Sequence, residues 1–213
     1  MRNNIIAQWA EKNGIVITGE MFSKLTEFQN LVLKVNEKMN LTSITNDRDF
    51  AVKHFIDSMT LLPYIKNSAS LLDIGTGAGF PGIVLKVLRN DIKLALMDSR
   101  KKRVDFLRMA VGELGLSDTD LIPERAEDWA KTGARYDVCT ARAVAEMEKL
   151  ADYALPLVLP GGLFLAMKGP DVRAELEKAK PAIKKAGGTV ERTYTAEISD
   201  GLMRTIVVIR KKR

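Results

Sequence analysis

Hydrophobic residues follow a helical period in the first third of the chain. Between residues 21 and 39 they recur at spacings of three and four, which places them on one face of a helix. The turn-forming residues 40–43 end this helix. Asn46 or Asp47 can cap a second helix, which Pro63 ends or bends. The two apolar stripes are Met21, Leu25, Phe28, Val32, Val35 and Met39, and then Val52, Phe55, Ile56, Met59 and Leu62.

From residue 70 onward, short apolar runs alternate with segments of helical period. The early runs are continuous, which is typical of parallel strands covered by helices on both faces. The last two strands are joined only by a turn at 199–201, which predicts an antiparallel hairpin. We therefore expect a doubly wound, Rossmann-like α/β sheet with an antiparallel C-terminal hairpin. The predicted strands are 70–74, 92–97, 119–122, 136–140, 162–167, 189–195 and 204–210, and the predicted helices are 81–90, 100–115, 126–131, 145–157 and 171–187.

A short polar link at 67–70 separates the two patterns. We expect a small helical N-terminal segment at 1–66 and an α/β domain at 67–213. Hydrophobic residues make up 46% of the 213 positions, enough for a substantial core. No apolar run approaches the roughly 20 residues that span a bilayer. The first ten residues lack the apolar region of a secretory signal.

The single cysteine and the single histidine argue against two kinds of site, a disulfide and a structural zinc site. Cys139 alone forms no intramolecular disulfide and gives no sign of export. We expect it to be buried in the fourth strand, which is a poor position for a nucleophile. Together with one cysteine, His54 argues against a structural zinc site. We expect a soluble cytosolic protein without a metal.

The net charge of +6 favours polyanionic partners such as nucleic acid or anionic membrane surfaces. Basic residues cluster at 100–103 and at 210–213. The simpler interpretation of these runs is a solvated helix start and a frayed tail, and for the tail we favour it. Four cations at the start of the helix near residue 100 oppose its dipole, and a nearby phosphate backbone would offset that cost.

Residues 71–82 form an apolar strand that ends at Asp73 and runs into a glycine-rich turn. Glycine lets a ligand approach the main chain closely. Pro81 suits the first turn of the helix that follows. This strand, turn and helix start together predict a nucleotide cradle.

Two nucleotide-binding motifs fit residues 73–82. Residues 77–82 match the dinucleotide pattern G-x-G-x-x-G, whereas Asp73 followed by glycines at alternate positions matches S-adenosylmethionine-dependent methyltransferases. Both require an acidic residue after the second strand. Asp98 supplies it and can accept hydrogen bonds from ribose hydroxyls, although it can equally cap a helix.

Three observations favour the methyltransferase. Asp73 is expected at the edge of the sheet just before the glycines, where its charge requires polar partners, either a ligand ammonium or amides of the turn. An antiparallel C-terminal hairpin suits the methyltransferase variant of the sheet. The chain is also short for a dehydrogenase with a substrate domain. A nicotinamide-dependent oxidoreductase and a non-catalytic nucleic-acid-binding protein remain as alternatives.

Several motifs resemble the bacterial glucose-inhibited division protein B (RsmG) family, over nearly the whole chain. The glycine turn ends in Phe-Pro-Gly at 80–82, which is far more specific than the glycines themselves. Two departures are small: Arg100 and Lys101 make that helix start more basic, and Met167 stands where leucine is usual. The other similar stretches are 40–44, 54–58, 98–99, 102–104, 106–107, 142–145 and 168–169.

The resemblance implies a class I methyltransferase that moves a methyl group from S-adenosylmethionine to N7 of a guanine in 16S ribosomal RNA. It implies cofactor contacts at Gly75 and Phe80 in the turn, at Ala126 and Glu127 beside the adenine, and at Arg142 beside the cofactor and the incoming base. The simpler alternatives are that Glu127 is a favourable negative charge in the first turn of a short helix and that Arg142 forms an ion pair at the surface. With the residues argued above, the expected cofactor set is Gly75, Gly77, Gly79, Phe80, Asp98, Ala126, Glu127 and Arg142.

The predicted mechanism is positioning without an acid or a base. Guanine N7 carries a free lone pair and no proton, and the chain offers no obvious base. No Asn/Asp-Pro-Pro-aromatic sequence follows the fourth strand, where methyltransferases of exocyclic amines keep it. RNA contacts are expected at Lys101, Lys102, Lys168 and His54. For His54, Asp57 and Ser58 we favour a packing network that joins the helical segment to the catalytic domain. We expect a monomer.

Overall fold

The computed structural model describes residues 2–213. Its N-terminal part is helical, as the hydrophobic period predicts. Thr18 caps helix α2, and Asn46 rather than Asp47 caps helix α3, since the Asn46 side chain accepts hydrogen bonds from two amides of its first turn. The elements are α1 (Arg2–Lys12), α2 (Gly19–Met39), α3 (Asp47–Phe50), a π-helical stretch (Ala51–Ile56), α4 (Asp57–Met59) and a 3-10 turn (Leu62–Tyr64).

A seven-stranded sheet forms the centre of the molecule, in the order β3-β2-β1-β4-β5-β7-β6. The first five strands are parallel, and β7 runs antiparallel to both of its neighbours. The predicted doubly wound sheet and its C-terminal hairpin are therefore confirmed. The strands are β1 (Ser70–Ile74), β2 (Lys93–Met97), β3 (Thr119–Ile122), β4 (Tyr136–Arg142), β5 (Val158–Lys168), β6 (Gly188–Ser199) and β7 (Leu202–Lys211).

The remaining helices follow the predicted positions with shorter ends. The helix expected at 81 begins at Gly82, with Pro81 as its N-cap after a cis Phe80–Pro81 bond. The helix expected at 145 begins at Met147, because Ala143 takes a left-handed conformation (φ 55°) and the loop after β4 continues to residue 146. These helices are α5 (Gly82–Leu88), α6 (Lys101–Glu113), α7 (Ala126–Trp129), α8 (Met147–Ala154) and α9 (Arg173–Lys185).

Each face of the sheet carries its own buried core. Side chains of α1, α2, the π-helical stretch, α5 and α6 pack together on one face, and those of α8 and α9 pack on the other. Phe28 and Phe55 of the N-terminal part lie in the same cluster as Leu71 on β1. The division of the chain into 1–66 and 67–213 stays a prediction. No helix within residues 2–213 is long and apolar enough to cross a membrane.

The strand directions separate the two basic runs. Lys168 at the end of β5 pairs with Thr205 near the start of β7, whereas Leu163 pairs with Arg210. The run at 210–213 therefore lies at the end of the sheet where the parallel strands begin, away from their carboxyl ends. The run at 100–103 follows β2 and lies at those carboxyl ends. Only the latter is close to the crevice in which such sheets bind ligands.

Candidate active site

Two neighbouring pockets open where the parallel strands end. The first has a volume of about 400 Å³ and lies beyond β1, β2 and β3. The second has a volume of about 630 Å³ and lies between the glycine turn, the N-terminal helices and the ends of β4 and β5. Gly75, Arg103 and Ala143 line both pockets, so ligands in the two would meet there.

The Asp73 carboxylate stabilises the glycine turn through hydrogen bonds. Its Oδ2 atom accepts hydrogen bonds from the Thr76 hydroxyl at 2.6 Å and from the Gly82 amide at 2.8 Å. Of the two kinds of partner expected for this carboxylate, the structure therefore provides groups of the turn. Its Oδ1 atom is buried and has no hydrogen-bond partner among the described residues. Burial raises the pKa of Asp73 to about 6, against an opposing effect of the hydrogen bonds and of the Arg142 charge.

The predicted glycines of the turn divide into two groups. Gly75 lines both pockets and Gly77 lines the second, and both residues have a positive φ. A Cβ atom on Gly77 would meet nothing closer than 3.8 Å, so the space above this residue is open to a ligand. Gly79 lines neither pocket, because its missing side chain faces the core, where a Cβ atom would lie 2.5 Å from Ile83 and 3.2 Å from Phe28. The structure thus gives Gly79 a packing role, and its contact with the cofactor stays a prediction.

Asp98 lies at the end of β2, on the wall of the first pocket. Its Oδ2 atom accepts hydrogen bonds from the Gly77 amide at 3.2 Å and from Arg103 Nη1 at 3.1 Å, and its Oδ1 atom accepts one from the Arg100 amide at 2.9 Å. The N-cap of α6 is Arg100, without a side-chain cap hydrogen bond, so the alternative of Asp98 as a helix cap is wrong. Its carboxylate holds the residues just before the helix and faces the pocket, and its contact with ribose hydroxyls stays a prediction. Sequence analysis did not single out Arg103, which forms the ion pair with Asp98 at the junction of the pockets.

Ala126 and Glu127 line the same pocket from the start of α7, and Arg100 and Arg103 line it from the basic start of α6. Ala126 is buried and Glu127 is exposed. Tyr153 on α8 also lines this pocket, and no signal in the sequence pointed to it. The first pocket therefore combines three carboxylates, those of Asp98, Glu124 and Glu127, with an aromatic side chain.

An aromatic stack forms the floor of the second pocket. The His54 ring lies parallel to the Phe80 ring, with 4.2 Å between centroids and 6° between planes. Phe80 also contacts Phe28, Phe50 and Phe55. It therefore links the glycine turn to the N-terminal helices, and its ring lines the second pocket rather than the first. Burial and, to a lesser extent, the Arg142 charge together lower the pKa of His54 to about 3, so the imidazole is neutral at pH 7.

Arg142 joins the end of β4 to the π-helical stretch. Its Nη1 atom donates to the Lys53 carbonyl at 2.8 Å and to Asp57 Oδ2 at 3.1 Å, and its Nη2 atom contacts His54 Nδ1 at 3.1 Å. Its guanidinium lies 5.3 Å from the Phe80 ring centroid. The side chain is 15% exposed, so the alternative of a surface ion pair does not describe it.

The buried Asp57 carboxylate also accepts two hydrogen bonds from Arg204 of β7. Ser58 donates its hydroxyl to the His54 carbonyl at 2.6 Å. The structure thus contains the network expected for His54, Asp57 and Ser58, and it adds Arg204, which sequence analysis missed. Arg204 lies in an otherwise apolar strand that carries no recognisable motif.

The three predicted lysines have different surroundings. Lys168 lines the second pocket, but its ammonium donates to the Ala145 carbonyl at 2.8 Å and to Glu175 at 2.6 Å. Glu175 also accepts from the Met147 amide, so these contacts fix the loop after β4. Lys101 and Lys102 are exposed at the start of α6 and line neither pocket.

The single cysteine lies outside both pockets. Cys139 is buried in β4, as expected, and its thiol donates to the Leu157 carbonyl at 3.4 Å. Burial raises the pKa of this thiol, which removes the thiolate that a nucleophile requires. Within residues 2–213 no three His, Cys, Asp or Glu side chains lie together as metal ligands.

The residues of the first pocket fit a nucleoside with a cationic tail. Asp98 offers carboxylate oxygens to sugar hydroxyls, and Gly75 lies at the junction with the second pocket, where open space lies above Gly77. Three carboxylates on its wall, those of Asp98, Glu124 and Glu127, favour positive charge nearby, and three guanidinium groups, those of Arg100, Arg103 and Arg125, favour a carboxylate. With strand order 3-2-1-4-5-7-6 and an inverted β7, these features define a class I methyltransferase that uses S-adenosylmethionine.

Comparison with known proteins identifies the family. Residues 21–203 match the model of the family described as rRNA small subunit methyltransferase G. A protein of that name from Pelotomaculum thermopropionicum is 44% identical over 97% of this chain and 89% of its own length. A namesake from Clostridium botulinum is 39% identical over 98% of this chain and 90% of its own length. The chain belongs to the rRNA small subunit methyltransferase G family.

A solved structure supports the fold independently. The ribosomal protein L11 methylase from Lactobacillus delbrueckii superposes with a TM-score of 0.59 at 16% identity, covering 80% of this chain and 81% of its own. At that identity the likeness concerns the fold alone. The family assignment removes the oxidoreductase alternative.

Proposed function

We propose that this enzyme transfers the methyl group of S-adenosylmethionine to N7 of a guanine in 16S ribosomal RNA of the small subunit. The observation that carries the proposal is the junction of the two pockets at Gly75, Arg103 and Ala143. One pocket suits the cofactor, and the other is lined by cationic side chains and an aromatic stack. The printed names of the relatives support ribosomal RNA as the substrate.

In this proposal the cofactor lies in the first pocket and reaches the junction. Asp98 would accept hydrogen bonds from the ribose hydroxyls, Ala126 and Glu127 would flank the adenine, and the main chain at Gly75 and Gly77 would contact the methionine part. Phe80 and Arg142 would act from the second pocket. Support comes from the positions of these residues on the pocket walls.

When bound, S-adenosylmethionine supplies a methyl group on a positively charged sulfur. The chain's contribution is to align the acceptor. Guanine N7 needs no deprotonation, and the neutral His54 is already engaged by Arg142 and Thr42. Alignment of two reactants can lower a barrier by roughly 7–11 kcal/mol without an acid or a base.

The RNA backbone would approach from the start of α6. Lys101 and Lys102 are exposed there, beside the pockets, and would contact phosphates. Lys168 would act on the RNA indirectly, because its ammonium fixes the loop that carries Ala143. We further propose that the protein acts as a monomer in the cytoplasm, where ribosomal subunits are present.

A transfer assay tests the function. The purified protein is incubated with methyl-labelled S-adenosylmethionine and either naked 16S ribosomal RNA or isolated small subunits, and the RNA is digested to nucleosides. We expect label in 7-methylguanosine from at least one of these substrates. Label confined to another nucleoside, or no label in either RNA, would contradict the proposal.

A further inference from the structure

The contact between Arg142 and His54 determines which nitrogen of the histidine carries the hydrogen. Arg142 Nη2 lies 3.1 Å from His54 Nδ1. A guanidinium has only donors, so Nδ1 must be the acceptor. The neutral imidazole therefore carries its hydrogen on Nε2. The stack on Phe80 holds the ring plane in the orientation that this contact requires.

The same logic then fixes the Thr42 hydroxyl. His54 Nε2 lies 2.9 Å from Thr42 Oγ1, so the hydroxyl oxygen accepts this hydrogen bond. The Ile44 amide donates to the same oxygen at 3.0 Å. A hydroxyl has two acceptor lone pairs and one donor hydrogen. Both lone pairs of Thr42 are therefore used, and its hydrogen has no acceptor among the described residues.

The loop that carries Thr42 is held in place. Its amide donates to the Asn36 side chain at 2.8 Å, and Asn36 belongs to α2. Thr42 is partly exposed and lines the second pocket. The hydroxyl hydrogen thus has only the pocket in which to find a partner. Arg142 and Arg204, which line the same pocket, also present donors alone.

A pocket that presents donors discriminates between the two purines. Beside N7, guanine carries the acceptor O6, whereas adenine carries an amino group that donates. We propose that the Thr42 hydroxyl donates to O6 of the target guanine and makes Thr42 a specificity-determining residue. This assignment rests on the proposed function, since it places N7 of that guanine at the junction of the pockets. An adenine there would place its amino group, which is a donor, against the Thr42 hydroxyl, which is also a donor.

The test uses small subunits reconstituted with 16S ribosomal RNA in which the mapped target is guanine or 6-thioguanine. The sulfur of 6-thioguanine is a weak acceptor, and N7 is unchanged. For the wild type we expect kcat/KM to fall about five- to tenfold with 6-thioguanine, the size of one lost hydrogen bond. Thr42→Val should lose at least this factor with guanine, because it also removes the acceptor of His54 and of the Ile44 amide, and it should lose nothing further with 6-thioguanine. Thr42→Ser, the matched control, should behave like the wild type.

Three results would overturn the assignment. Thr42→Val could retain wild-type kcat/KM with guanine, or it could lose activity yet still discriminate against 6-thioguanine, as expected for a purely structural role. A wild type indifferent to the sulfur would also contradict it. A failure of the proposed function has a different outcome, because the wild type would then place no methyl group on guanine N7.

A second measurement needs no RNA. The chain has one histidine, so nitrogen-15 NMR signals of an imidazole belong to His54 without further assignment. We expect a hydrogen on Nε2 and none on Nδ1 at pH 7. The opposite tautomer would free a Thr42 lone pair for the pocket and overturn the donor assignment.

Discussion

Arg204 and Asp57 are separated by 147 positions in the chain, yet the guanidinium of Arg204 donates two hydrogen bonds to the Asp57 carboxylate, from Nε at 2.5 Å and from Nη2 at 3.0 Å. Asp57 is completely buried and also binds Arg142 at 3.1 Å. This carboxylate therefore connects the N-terminal helices, β4 and the C-terminal hairpin at the wall of the second pocket.

Removal of this carboxylate should destabilise the protein. Asp57→Ala leaves two partly buried arginines without their shared partner, and we expect a loss of about 3–5 kcal/mol in the free energy of unfolding. Urea denaturation measures it. Asp91→Ala is a matched control, since its carboxylate also pairs with an arginine but is 37% exposed instead of buried. An Asp57→Ala loss below that of the control would contradict the connecting role.

Substitutions at Gly77 and at Gly79 in the glycine turn should have different effects. Gly77→Val places a side chain in the open space of the ligand site, and the positive φ of this residue (62°) adds backbone strain of about 1–3 kcal/mol. We therefore expect a folded but less stable protein that no longer binds S-adenosylmethionine. Gly79→Val drives a side chain into Ile83, and we expect lost stability, with overpacking alone costing about 1–3 kcal/mol. Calorimetric titration and thermal unfolding separate the two effects. Retained cofactor binding in Gly77→Val would refute the placement of the ligand.

Much of the fold follows from local pattern. The seven strands could be predicted because each is a short apolar or alternating run bounded by turn residues, and the missing helix before β7 indicated the hairpin. Helix α1 was not predicted separately. The π-helical stretch from Ala51 to Ile56 was missed because one extra residue per turn leaves no mark on a short hydrophobic stripe.

The site could be predicted only in part. Asp98 was found because its place after the second strand fixes its position at the crevice. Gly77 and Gly79 look alike in the sequence, and only the packing of Ile83 and Phe28 separates their roles. The contact of Arg204 with Asp57 joins distant segments, so no local pattern reveals it.

The ionisation of Asp73 gives a pH-dependent prediction. Its pKa in the folded protein is raised from 3.8 to about 6, so folding favours the protonated form. The stability from this group is fully present below pH 3.8 and is lost as the pH rises through 6. Asp73→Asn cannot ionise. Its free energy of unfolding should therefore rise relative to the wild type by about 2 kcal/mol between pH 4.5 and pH 7.5.

Urea denaturation at the two pH values measures this difference. Subtraction of the wild-type value removes the effects of other titrating groups, including His54, whose lowered pKa costs stability as the pH falls below 6.5. Thr76→Val is a control that removes one hydrogen bond to Asp73 and keeps the carboxylate. A difference between Asp73→Asn and the wild type that is independent of pH would mean that the carboxyl pKa is not raised.

The two basic runs should contribute unequally to RNA binding. Replacement of Lys101 and Lys102 by Ala should weaken binding and flatten its dependence on salt by about one to two counterions. Replacement of Lys212 and Arg213 by Ala removes the same charge at the opposite edge of the sheet and should have a smaller effect. Filter binding to 16S ribosomal RNA at several salt concentrations measures both slopes. An unchanged slope in the first variant would contradict the proposed contact.

The most direct test of methyl transfer to guanine N7 is chemical mapping of 7-methylguanosine in 16S ribosomal RNA from cells with and without this gene. Cleavage at methylated guanine should mark one position in cells that have the gene and should disappear when the gene is deleted. Complementation with the wild type should restore the signal, and the Gly77→Val variant should not. An identical cleavage pattern with and without the gene would contradict the account.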